Sequence, residues 1–91
     1  MREIVLEEDQ LSLMDNGQEV GKITFVPGGP DTLIVDYIYL EEELRGQGLA
    51  EQLVERMVGH ARALGKLIVP TCPYVYAQFR RNASYHDVWK R

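Results

Sequence analysis

Two short segments hold most of the residues that could do chemistry in this chain. The first is residues 40–50, Leu-Glu-Glu-Glu-Leu-Arg-Gly-Gln-Gly-Leu-Ala. Arg45 supplies a permanent positive charge and several fixed donors. Gly46 and Gly48 follow it where a β-patterned run gives way to a helix-patterned one. A strand that enters a helix through a glycine turn leaves the first-turn N–H groups free and puts the positive end of the helix dipole beside them. The chemistry is anion binding, and the expected ligand carries phosphate. The second segment is residues 70–74, Pro-Thr-Cys-Pro-Tyr. Proline favours the first helical position, which makes Cys72 the N-cap of a helix, a setting that favours a thiol as a nucleophile. The plainer reading of Cys72 is a small buried hydrophobe.

Other candidates are less specific. Tyr74, Tyr76 and Tyr85 carry phenols that could donate a proton, although tyrosines in a helical stripe commonly pack. Glu41, Glu42 and Glu43 could attract an amine or act as a base, but read more simply as a solvated loop. His60 falls on an apolar helical stripe and reads as a packed, hydrogen-bonded histidine. His86 stands alone in the tail, and Trp89 reads as a pin for the C-terminal turn. No histidine has a ligand-spaced partner, so no metal site is expected.

The glycine turn fails two well-defined phosphate motifs. A P-loop needs Gly-Lys-Ser/Thr, but Leu49 and Ala50 follow Gly48. A dinucleotide fingerprint needs a third glycine where Glu51 stands. The pattern left is Arg45-x-x-Gly48-x-Ala50.

The elements that must position these residues follow from periodicity. Residues 4–6 and 11–14 read as two strands of a meander, and Asn16-Gly17 as a hairpin turn. Residues 20–26 form a third strand and residues 32–40 a fourth. The fourth strand is apolar on both faces: Leu33, Val35, Tyr37 and Tyr39 on one, Ile34, Ile38 and Leu40 on the other, with Asp36 the exception. Such a strand is expected to be central and covered on both sides. Leu49, Leu53, Met57, His60, Ala61 and Leu64 recur at helical spacing, with Gly65 as the stop. Residues 67–69 read as a short fifth strand, joined to the fourth by a right-handed parallel crossover. Residues 74–81 then form a helix, and residues 85–89 a last turn or two. The expected fold is α/β with a mixed sheet: a four-stranded antiparallel meander, a crossover helix, a fifth strand parallel to the fourth, and a C-terminal helical tail. Both chemical segments leave the carboxyl ends of strands on one rim, where open sheets bind ligands.

A chain of 91 residues is expected to be one domain, 1–91, with one modest core. A single cysteine excludes an intrachain disulfide and a cysteine metal cluster. The N-terminal apolar run is too short for a secretory signal. No apolar stretch approaches the roughly 20 residues that span a bilayer. A cytoplasmic protein without membrane partners is expected. Residues 1–50 hold three basic residues against eleven acidic ones; residues 51–91 hold seven against three. A phosphate-rich ligand suits the second half and a cationic partner the first. The acidic balance argues against a nucleic-acid binder.

Residues 39–50, 61–66 and 70–75 together resemble the GNAT superfamily of acyl-CoA-dependent acetyltransferases, and within it the small YjdJ-type branch. Arg45-x-x-Gly48-x-Ala50 is similar to its pyrophosphate loop, and Cys72-Pro73-Tyr74-Val75 matches the segment after the fifth strand in that branch. Asn82-Ala83-Ser84-Tyr85 departs from the His-Pro that often precedes the tail tyrosine there. The resemblance implies a minimal acyl-CoA N-acyltransferase fold that binds acetyl-CoA or coenzyme A. It further implies that backbone groups of Ile38, Tyr39 and Leu40 pair with the pantetheine arm. Backbone N–H groups of Arg45, Gly46, Gln47, Gly48, Leu49 and Ala50 would hold the pyrophosphate, with Pro73 and Tyr74 beside the cofactor. Cys72 becomes the catalytic candidate, as an acetyl carrier or as a residue lining the acyl pocket. The implied function is acetyl transfer to an amine acceptor that the sequence does not name. The alternatives are a CoA-binding or acyl-sensing module with little turnover, and a protein-interaction domain with no cofactor. A monomer or a weak homodimer formed through an edge strand fits the same elements.

Overall fold

The computed structural model describes residues 1–91. Strands β1 (Arg2–Leu6), β2 (Gln10–Asp15), β3 (Gln18–Pro27), β4 (Thr32–Leu40) and β5 (Leu67–Pro70) lie side by side in sequence order. The first four are antiparallel, and β5 runs parallel to β4. Helix α1 (Leu49–Leu64) makes the crossover between β4 and β5. Helix α2 (Pro73–Arg81) and a 3-10 tail over Ala83–Val88 follow β5. This is the meander, crossover and tail that the periodicity implies. No helix is long and apolar enough to cross a membrane.

Helix α1 forms because its apolar residues share one stripe. Leu49, Leu53, Val54, Met57, Val58 and Ala61 are all buried. Each large aliphatic side chain so buried contributes about 1.5–3 kcal/mol. They pack on a sheet face that includes Leu11, Leu13, Ile23, Phe25, Leu33, Val35 and Ile68. Helix α2 adds Val75 and Phe79 to the same core, and the tail adds Tyr85 and Val88. Arg62 on α1 holds the tail with a two-pronged contact to Asp87, at 2.8 and 2.7 Å, and donates to the Ser84 carbonyl at 2.9 Å. That contact holds the Asp87 carboxyl below its ordinary range. Trp89 does pin the tail: its ring packs edge-on against Tyr76 and Phe79. The neighbouring Lys90 N–H donates to the Ile68 carbonyl at 2.9 Å. His60 is half-buried and packs on the Phe25 ring.

The faces of β4 differ from the simple alternation. The β3–β4 register pairs Phe25 with Val35 and Thr24 with Tyr37, which leaves Asp36 as an extra residue. A bulge of this kind reverses the alternation beyond it. Leu33 and Val35 therefore share the core face with Ile38 and Leu40, whereas Tyr37 and Tyr39 turn to the opposite face. There they are exposed, at 49% and 41%. The expectation of a strand covered on both sides is thus corrected. All helices lie against one face, and the molecule spans only 18 Å along its shortest axis, enough for one sheet and one helical layer.

Candidate functional site

The site begins where β4 outruns β5. Their pairing stops at Val35 opposite Pro70, and β4 continues for five more residues with nothing beside it on that edge. The backbone of that stretch alternates in direction. Glu41 N–H donates to the Val20 carbonyl at 2.9 Å. In an antiparallel ladder Tyr39 and Tyr37 must then also face β3, and Ile38 and Leu40 must face the unpaired edge. Arg45 Nε donates to the Leu40 carbonyl at 3.0 Å, which agrees with that direction. Of Ile38, Tyr39 and Leu40, the first and third offer backbone groups to a ligand; Tyr39 offers its side chain. Thr71 N–H and Cys72 N–H both donate to the Val35 carbonyl, at 3.0 and 3.3 Å. That fixes the point where the two strands part.

The glycine turn closes the upper end. A 3-10 turn over Glu42–Leu44 carries the chain from β4 towards α1. Gly46 and Gly48 have φ of 83° and 78°, and Gly48 is the N-cap of α1. A Cβ at either position would meet no atom within 4 Å. Glycine is required there for backbone conformation alone. The first helical N–H with a backbone acceptor is that of Gln52, which bonds the Gly48 carbonyl at 3.1 Å. The N–H groups of Gly46, Gln47, Gly48, Leu49, Ala50 and Glu51 take no backbone partner. Arg45 N–H is the exception in the expected set, because it donates to the Glu42 carbonyl at 3.2 Å. Arg45 contributes through its guanidinium instead; with Nε tied to Leu40, the two terminal nitrogens remain available. A row of unspent donors at a positive helix end fits a diphosphate.

Together these features line one open cleft of about 560 Å³. Ile38, Tyr39 and Leu40 form one wall, and Arg45, Gly46, Gly48, Leu49 and Ala50 the other. Tyr74 reaches in from the first turn of α2. The size is that of a small-molecule site. Two lining residues, Tyr37 and Glu51, were not anticipated from sequence. Tyr37 becomes visible only with the bulge at Asp36. Glu51 had a signal, since it stands where a dinucleotide loop would have its third glycine. Three anticipated residues lie outside the lining. Gln47 turns its amide back to the Glu43 carbonyl at 3.4 Å. Pro73 occupies the first position of α2 and is exposed. Cys72 is the N-cap of α2, as its place before Pro73 implied, but it is only 8% exposed and packs in the core.

One polar pair crosses the cleft. Tyr74 Oη donates to Glu51 Oε1 at 3.1 Å, joining the first turns of α2 and α1. Partial burial, and then the Glu51 carboxylate, push the Tyr74 phenol up to about 12. Tyr74 therefore keeps its proton at neutral pH and is a donor.

A family model described as GCN5-related N-acetyl-transferase matches residues 10–88. No curated protein matches the chain. Among solved structures, a GCN5-like protein from Staphylococcus aureus superposes with a TM-score of 0.80 at 26% identity, over 97% of this chain and 87% of its own. A GNAT family N-acetyltransferase from Escherichia coli, solved in complex with CoA, gives a TM-score of 0.68 at 30% identity. A GNAT family acetyltransferase from Elizabethkingia anophelis, solved with acetyl-CoA bound, gives 0.65 at 19% identity. The matches cover 86% and 84% of this chain, but only 48% and 51% of those two proteins. This chain thus spans about half the length of either.

Proposed function

The chain belongs to the GCN5-related N-acetyltransferase family, and from that membership we propose that it binds acetyl-CoA in the cleft beside β4 and transfers the acetyl group to an amine. The observation that carries this reading is the row of unspent N–H groups from Gly46 to Glu51, set at the end of an unpaired strand edge. The diphosphate of the cofactor fits the row and the Arg45 guanidinium. The pantetheine arm has amides, and Ile38 and Leu40 offer it the groups that a neighbouring strand would otherwise use. The relatives from E. coli and E. anophelis, with CoA and acetyl-CoA respectively, support the same ligand.

In this reading Ile38 N–H faces the thioester oxygen. A neutral amine attacks the carbonyl carbon and forms the C–N bond. Ile38 N–H then stabilises the oxyanion, the kind of interaction that usually contributes most to catalysis. When the C–S bond breaks, the Tyr74 hydroxyl would swing its one proton from Glu51 to the departing sulfur, while the nitrogen loses one to solvent. Solvent restores the phenol. Glu51 keeps the Tyr74 ring turned into the cleft.

A second reading gives Cys72 a covalent part. Its N–H is bonded to Val35 at the point where β4 and β5 separate, one residue short of the unpaired edge. The thiol would accept the acetyl group, releasing CoA, and pass it on to the amine. Its burial favours direct transfer instead.

Calorimetric titration with acetyl-CoA tests the main reading. Micromolar binding that weakens in Arg45→Ala is the expected result; no heat at millimolar ligand refutes it. Intact-mass measurement after incubation with acetyl-CoA decides between the two routes. An acetyl adduct in the parent that is missing in Cys72→Ser would establish the carrier.

A further inference from the structure

We propose that the uncovered face of the sheet is the docking surface of the acceptor, and that the acceptor is a basic polypeptide whose lysine enters the cleft past Tyr37 and Tyr39. This rests on the reading of the cleft as the acetyl-CoA site and names the class of amine it serves.

The first argument is composition. An antiparallel sheet with one side in water normally shows polar residues there. Here the strip over β3 and β4 carries Val26, 42% exposed, and half-buried Ile34 beside the exposed rings of Tyr37 and Tyr39. Aromatic rings flanked by aliphatic surface suit the long methylene stem and cationic head of lysine.

The second argument is charge. Around that strip the same face carries Glu3, Glu7, Glu19 and Asp36 against Lys22 and Lys90, and the Lys90 ammonium is occupied by Thr32 Oγ1 at 3.0 Å and Asp31 at 3.8 Å. Glu7 Oε1 accepts from the Ser12 hydroxyl at 2.6 Å, and Glu19 Oε1 accepts from Gln10 Nε2 at 2.7 Å. Asp36 accepts from Thr24 Oγ1 at 2.6 Å. These bonds fix the carboxylates on the face while leaving most of their acceptor capacity unused. Their net sign attracts a polycation and repels nucleic acid.

The third argument is continuity. Tyr37 and Tyr39 belong both to this face and to the lining of the cleft. The bulge at Asp36 is what turns them there. A chain lying across β3 and β4 could therefore place one amine beside the unpaired Ile38 backbone. A small amine gains little from such a surface, because small ligands bind where walls enclose most of them. A polypeptide gains from area and from several charges at once.

The test uses the full chain with acetyl-CoA and compares a short oligolysine peptide, spermine and lysine amide as acceptors. Oligolysine is expected to show kcat/KM about tenfold or more above the other two. Glu7→Gln, Glu19→Gln and Asp36→Asn can each keep the existing hydrogen bond. Each is expected to raise KM for oligolysine roughly two- to fivefold, and Lys22→Gln to lower it by a similar factor. Acetyl-CoA affinity, read separately by calorimetry, should not move. If acetyl-CoA binds but oligolysine has no advantage, or the charge variants leave its KM unchanged, the docking surface is refuted and the cofactor site stands. A dimer at assay concentration that Val26→Arg dissociates would put a second copy on the face and refute it too. Failure to bind acetyl-CoA would overturn the reading of the cleft, and this inference with it.

Discussion

Helix α1 has one glycine at its N-cap and one in its interior, and the same substitution should have opposite effects at the two. Gly48 is its N-cap, at φ 78° and ψ 10°, and Gly59 lies within its exposed middle turns. A Cβ at either position would meet nothing within 4 Å, so crowding contributes to neither result. At Gly48, alanine must hold a left-handed conformation that costs an L-residue about 1–2 kcal/mol. At Gly59, alanine keeps helical geometry and should stabilise by about 0.5–1 kcal/mol. The two variants should therefore differ by about 2 kcal/mol. For a domain of this size, each kcal/mol moves Tm by roughly 4–8 °C. Gly48→Ala should melt below the parent and Gly59→Ala above it. The same strain should reach the site. If the free loop relaxes to avoid about 1 kcal/mol, cofactor binding must restore it, and acetyl-CoA affinity should fall about fivefold. Gly59→Ala should leave that affinity alone. Thermal melts and urea curves give the stabilities, and calorimetry the affinities. If Gly48→Ala shifts Tm in the same direction as Gly59→Ala, or leaves affinity unchanged, the claim that the left-handed turn presents the N–H row is refuted.

Arg45→Ala should weaken CoA about 10- to 100-fold through loss of charge-assisted donors, with a smaller deficit at high salt; calorimetry at two ionic strengths checks both. Tyr74→Phe should lower kcat by about two orders of magnitude while KM for acetyl-CoA changes little, and steady-state kinetics showing only a KM effect would remove Tyr74 as the proton donor. The Tyr74 phenol lies at about 12 against an ordinary 10.0. Its stabilising contribution is therefore complete below pH 10 and lost as pH rises towards 12, so Tyr74→Phe should flatten that stretch of the stability curve. The Arg62–Asp87 contact has the opposite dependence. Asp87 is held below its ordinary value, so the contact stabilises at neutral pH and is lost as pH falls through the lowered value; Asp87→Asn should loosen the tail at neutral pH, read as faster amide exchange across residues 83–89. Leu53 is fully buried, and Leu53→Ala should cost about 2–5 kcal/mol, measured by urea unfolding.

Local features of this chain were legible because they depend on neighbours in sequence. The stripe from Leu49 to Ala61 buries one side of a helix whatever it meets. Asn16-Gly17 turns because its residues accept positive φ, and Gly65 ends α1 for the same reason. Pro73 makes Cys72 an N-cap without any tertiary contact. Gly46 and Gly48 marked the turn that leaves the start of α1 with unpaired N–H groups, because their positive φ is a local property. The sequence by itself therefore determined the order of elements, the glycine turn at the start of α1 and the family. Only the tertiary structure decided how β4 is used. One extra residue at Asp36 reverses side-chain alternation, and no local pattern shows which strand position will lack a partner. That reversal exposes Tyr37 and Tyr39, and the early end of β5 leaves the Ile38 backbone and the Leu40 N–H without a strand partner, while the Leu40 carbonyl takes Arg45 Nε. Packing likewise put Cys72 in the core and brought Glu51 and Tyr74 together across the cleft. Burial and convergence depend on residues distant in sequence, so they exist only once the chain is folded.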